Sequence, residues 1–88
     1  MDKVDKNYVN HFRKITFTQP LFRKGEYIKE IFEKVSAGSK ADRLWKVHYE
    51  SNTEYEGGPF DGRTFTGAEV AEFCNICKEA GINVEFEG

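Results

Sequence analysis

Apolar and polar residues alternate on two different periods along this chain. In "GEYIKEIFEKVSAGS", Tyr27, Ile28, Ile31, Phe32 and Val35 form one stripe on a 3.6-residue period, which predicts a helix. Glu30 and Lys34 would support it as an i,i+4 pair, and Gly38 would close it. A second helix carries stronger boundary signals. Thr66 stands at the N-cap with Glu69 three residues on, the spacing of a capping box, and Phe65 and Val70 can form a hydrophobic staple. Val70, Phe73, Cys74, Ile76, Cys77 and Ala80 are expected to share its buried face. Gly81 suits the C′ position, with Ile82 packing back on Cys77.

Strict alternation predicts strands in "KITFT", "LWKVHYES" and "INVEFE". A Ser51-Asn52 turn would lead from the second of these into "TEYE" as the third strand of the chain, with "RTF" replacing or extending it. Tyr8, Val9 and Phe12 fall on one side of a short N-terminal helix. The order strand, helix, strand, strand, helix, strand predicts a single α+β domain spanning residues 1–88. Its expected form is the βαββαβ split arrangement of ferredoxin-like folds, an antiparallel sheet with two helices on one face. With Ile15, Phe17, Val84 and Phe86 turned toward the helices, the open sheet face would show Thr16, Thr18, Asn83, Glu85 and Glu87.

Composition adds limits. Eighty-eight residues can support one modest core, and 15% aromatic content argues against disorder. No apolar run reaches the roughly 18–20 residues needed to cross a bilayer, and "MDKVDKNYVNHF" has no signal-peptide core. We therefore expect a cytoplasmic protein without membrane contact; two cysteines do not make a disulfide framework, which agrees. Residues 1–46 hold eleven Lys/Arg against six Asp/Glu, and residues 47–88 hold two against nine, so the halves carry +5 and −7. Either the halves interleave in space, or one face is offered to a charged partner.

Most chemistry finds no support in the motifs. Cys74 and Cys77 spell CxxC, but they fall late in their helix on its apolar face, where a core role outweighs redox or zinc chemistry. A zinc ion shared between two subunits is the metal version of that reading. His48 lies on the polar phase of its strand and reads as solvated. We expect no cofactor, no metal and no catalytic residues. "EGGPFDGR" is glycine-rich, yet it matches no phosphate-binding fingerprint, and Thr66 with Glu69 already occupies the helix start behind it. Arg23 and Lys24 in "PLFRKGEY" precede the expected first helix, a position resembling the arginine-bearing loop of acylphosphatases, although the glycine-rich signature of that family is missing. The topology also resembles that of RNA-recognition motifs, but "TEYEGGPF" puts carboxylates where an RNP1-like strand would stand.

The leading expectation is a non-enzymatic protein-binding domain whose partner has a basic surface. Tyr49, Glu50, Glu54, Tyr55, Glu56, Phe60 and Asp61 are the expected contact residues, aromatic anchors among carboxylates. The profile (short, acidic and single-domain, with a sequence pI of about 5.7) is similar in type to that of anti-CRISPR proteins. That likeness implies a small phage-encoded inhibitor that occupies a nucleic-acid-binding groove. The alternatives are nucleic-acid binding through Arg13, Lys14, Arg23, Lys24, Arg43 and Lys46, a small phosphate or acyl-phosphate enzyme at Arg23 and Lys24, and a homodimer paired through a sheet edge.

Overall fold

The computed structural model describes residues 3–21, 23–35, 44–54 and 60–88. These residues form a small α+β domain with five strands and two helices: α1 (Lys6–Val9), β1 (Lys14–Pro20), β2 (Tyr27–Val35), β3 (Leu44–Ser51), β4 (Thr64–Thr66), α2 (Gly67–Glu79) and β5 (Asn83–Glu87). The strands make one antiparallel sheet in the order β4-β3-β2-β1-β5. β1 to β4 follow one another across it, and α2 carries the chain from β4 at one edge to β5 at the other. No described helix is long and apolar enough to cross a membrane.

This corrects the split βαβ expectation. Residues 27–35 are the central strand, not a helix. The apolar spacing misleads because Ile31 is buried among its strand neighbours Thr16 and His48 on the open face, so strict alternation is lost. Ile28, Glu30, Phe32 and Lys34 point toward α2, while Ile31 is only 2% exposed on the opposite face. Intrinsic preference also favours a strand: Tyr27, Ile28, Ile31, Phe32 and Val35 are β-branched or aromatic, and no capping residue precedes them. Glu30 and Lys34, read as a helical pair, both turn inward to different partners. Lys34 Nζ donates to the Asn10 carbonyl at 2.6 Å and lies 5.3 Å from the Trp45 ring centroid.

The edge strand is likewise "RTF" rather than "TEYE". Thr64–Thr66 pairs with Leu44–Lys46, and the Val47 amide donates to the Arg63 carbonyl at 3.0 Å. Thr53 and Glu54 lie in a bend after β3, and Tyr55 and Glu56 fall outside the described residues, as does Gly38.

The α2 boundaries agree with their sequence signals. Thr66 Oγ1 accepts from the Glu69 amide at 3.2 Å, and Glu69 Oε1 accepts from the Thr66 amide at 2.9 Å. At the other end, the Ile82 amide donates to the Cys77 carbonyl at 2.9 Å and the Gly81 amide to the Lys78 carbonyl at 3.1 Å. This is a Schellman ending, and it places Gly81 at φ +78°, a conformation that costs glycine least. Between the sheet and α2 lie Ile15, Phe17, Phe32, Trp45, Val47, Val70, Cys74 and Cys77. Val9 from α1 joins them, and the Val4 backbone is clasped by the Asn75 side chain through two hydrogen bonds of 2.8 Å.

Candidate functional site

A chain of phenylalanine rings runs from the core to the surface. Phe17 meets Phe32 at 5.3 Å between centroids and Phe73 at 5.1 Å; Phe32 meets Phe65 at 5.6 Å, and Phe65 meets Phe60 at 5.6 Å. Most of these contacts are edge-on, the arrangement that aromatic quadrupoles favour. The outer rings do not close over. Phe32, Phe60, Phe65, Phe73 and Ile76 line an open groove of about 170 Å³ beside α2, with Glu69 and Glu72 on its rim. Each wall has a local cause. Phe65 points to the α2 side because it is the middle residue of β4, opposite Trp45. Phe73 and Ile76 are one turn apart on α2.

Ile76 breaks the expected pattern. Expected on the buried face of α2, it is 57% exposed, and Ala80 at the C-cap, expected on the same face, is exposed as well. Ile76 stands on the outward side with Glu69, Glu72 and Glu79, at spacings of three, seven and ten residues from Glu69. Lys78 lies off this stripe, beside Gly81, Ile82 and Val84. Glu69 is partly committed to the helix cap, whereas among the described residues Glu72 and Glu79 carry no ion pair. A second depression on the other flank of α2, toward Lys3, Val4 and Asp5, is lined by Glu72, Ile76 and Glu79, so Glu72 and Ile76 form a ridge between two hollows.

The seven expected contact residues do not form one patch. Tyr49 and Glu50 are adjacent on β3 and point to opposite faces. The Tyr49 hydroxyl donates to Glu30 Oε2 beneath α2, while Glu50 stands on the open face with its Oε2 4.0 Å from His48 Nε2. Glu54 and Asp61 are exposed, and Phe60 belongs to the groove. Tyr55 and Glu56 lie outside the described residues.

The basic set is also distributed. Arg23 and Lys24 sit at the tip of the β1–β2 hairpin rather than before a helix. The Glu26 amide donates to the Arg23 carbonyl at 3.0 Å, Gly25 adopts φ +88°, and Asn52 Nδ2 donates to the Gly25 carbonyl at 2.8 Å. The free helix N–H groups that the acylphosphatase-like reading required are therefore not supplied there. Arg13 is exposed just before β1, and Arg43 is outside the described residues.

Lys14 and Lys46 project from the open sheet face, where the two halves of the chain interleave. Lys14 is the register partner of Glu87 and of Glu33, Glu33 of Lys46, and Lys29 of Glu50. Opposite charges are thus cross-strand neighbours, an arrangement that stabilises a sheet. His48 joins this mixture, with Nδ1 3.4 Å from Glu33 Oε1.

Beneath α2 is a feature the sequence reading missed. Glu30 is 6% exposed, and its Oε1 has no hydrogen-bond partner among the described residues. Burial raises its pKa, only partly offset by the Tyr49 hydrogen bond. Both cysteines are unbridged in this core. Burial is the main cause that pushes the Cys74 thiol up to about 12, with Cys77 adding to it. Burial and the nearby Glu30 carboxylate push Cys77 up to about 11. Comparison with protein-family models, with curated proteins and with solved structures finds no match to this chain.

Proposed function

We propose that this protein is a non-enzymatic binding domain that engages the basic surface of a protein partner through the acidic, phenylalanine-lined groove beside α2. One observation carries the reading: a large exposed aliphatic side chain, Ile76, continues an open aromatic surface and is flanked one turn away by Glu72 and Glu79. Apolar centres with charged surroundings recur in protein interfaces, where the centre supplies most of the affinity and the rim supplies steering and selectivity. The proposed contact residues are thus Phe60, Phe65, Glu72, Phe73, Ile76 and Glu79, of which only Phe60 belongs to the set expected from sequence. Occupation of a basic, nucleic-acid-binding cleft is the form in which such a surface would inhibit its partner. Two free cysteines suit a reducing compartment, the cytoplasm.

The test compares the native chain with a Glu72→Lys, Ile76→Asp double variant as bait in a lysate of the source organism. Both positions are exposed, so circular dichroism should show an unchanged fold. A protein that is retained by the native chain, lost with the variant and eluted by moderate salt supports the proposal. Equal retention by both baits refutes it.

A further inference from the structure

We propose that the partner presents an amphipathic helix bearing Lys or Arg, laid along the outward stripe of α2. The inference rests on the protein-binding reading above and specifies the shape of what binds. Glu69, Glu72, Ile76 and Glu79 rise along the helix axis by about 4.5, 6 and 4.5 Å, from 1.5 Å per residue. A second helix carries its side chains at the same steps of three and four, so its ridges can pack into the grooves beside this stripe. An extended segment repeats on one face every 6.6–7 Å, and falls out of step within the roughly 15 Å the stripe spans. The chemistry of each position fixes the occupant further. Ile76 asks for an aliphatic residue at the centre, and its carboxylate neighbours ask for Lys or Arg one turn to either side. About ten residues of partner helix cover the stripe, so the contact is small and the affinity is expected in the micromolar range or weaker.

The experiment uses two synthetic peptides of identical Leu and Lys composition, about eighteen residues long, with blocked ends. In one, Leu recurs on a helical period; in the other, Leu and Lys alternate as in a strand. Fluorescence anisotropy with the full chain is expected to show the helical-period peptide binding at least tenfold more tightly. That binding should fall at least tenfold with Ile76→Asp and again with Glu79→Lys, and should weaken as salt rises. Equal or tighter binding of the alternating peptide overturns the helix assignment and leaves the acidic-surface reading standing. Binding of the helical peptide that neither substitution alters overturns the stripe. Absence of binding at millimolar peptide overturns the helix proposal, while the lysate comparison decides the broader reading on its own.

Discussion

Reactivity of the CxxC pair gives the sharpest separation between a core role and thiol chemistry. Cys74 is fully buried and Cys77 is 2% exposed, with thiols pushed from 9.0 to about 12 and about 11. At pH 8 a thiol at 9.0 is about one-tenth ionised. One at 11 is ionised about a hundredfold less, and one at 12 about a thousandfold less. A more basic thiolate is a better nucleophile, which recovers about tenfold and about thirtyfold respectively. Ionisation alone therefore slows attack on an aromatic disulfide reagent by about tenfold at Cys77 and about thirtyfold at Cys74.

Access is the larger effect. If reagent reaches the thiols only by global opening, a domain stable by about 5.5 kcal/mol exposes them about one part in 10⁴ of the time. We expect the native chain to react at least tenfold more slowly than the same chain in urea, and at a rate approaching 10⁴-fold slower as opening becomes global. Between pH 7 and 9 the rate should rise steadily without a plateau. The measurement is absorbance of the released thiolate, followed with and without denaturant. Native reaction within tenfold of the unfolded rate, or a plateau below pH 8, would refute the burial argument and reopen redox or metal chemistry at this motif.

Three further outcomes follow from the core and its caps. Because burial raises the folded-state pKa of Glu30 while the unfolded chain titrates near 4.5, stability should fall as pH rises from about 4.5 through that raised pKa. Glu30→Gln should remove the fall, by about 1.4 kcal/mol for each unit of separation, and a pH-independent difference in urea midpoints would contradict this. Thr66→Ala should cost about 1 kcal/mol through loss of the capping box, with Glu69→Ala adding less than its separate effect, as read from urea denaturation of the double variant. Phe32→Ala should cost about 3–5 kcal/mol, because its ring is 1% exposed and touches Phe17, Phe65 and Phe73; a loss under 1 kcal/mol in denaturant unfolding would contradict the packing described.

What could be read in the sequence depended on how local its cause was. The ends of α2 were legible because Thr66, Glu69 and Gly81 act within a few residues of themselves. The strands at 14–20, 44–51 and 83–87 were legible because one face of each packs on the core and the other carries mainly polar residues, so the alternation survives. The central strand was not, because its pattern answers to two neighbours at once. Glu30 stands at an inward position where Tyr49 on the next strand meets it, and Ile31 is buried among its strand neighbours on the opposite face. The groove was out of reach for a related reason. Phe32, Phe60, Phe65 and Phe73 come from β2, a turn, β4 and α2, and nothing in their spacing says that they converge. Ile76 did carry a signal: it lies between Glu72 and Glu79 on the helical period, which marks the acidic side of α2 rather than the core.

The charge imbalance of the sequence acquires two different meanings in the folded chain. On the open sheet face Lys14 stands opposite Glu87 and Lys29 opposite Glu50, so part of the contrast between +5 and −7 is offset within the sheet, while Lys46 faces Glu33 of its own half. A phosphate backbone approaching that face meets lysines and carboxylates in alternation, which weakens the electrostatic gain on which nucleic-acid binding depends. On α2, Glu72 and Glu79 flank Ile76 with no ion pair among the described residues; Lys78 lies off the stripe, and Lys3 borders the hollow on its far flank. Leaving carboxylates beside an exposed isoleucine gives the isolated domain little, since exposed charges contribute weakly to stability and an exposed aliphatic side chain contributes less than a buried one. The same arrangement becomes favourable when a cationic, apolar surface covers it, and this difference between the free and covered states is the physical ground for the proposal that α2, rather than the sheet, binds a partner.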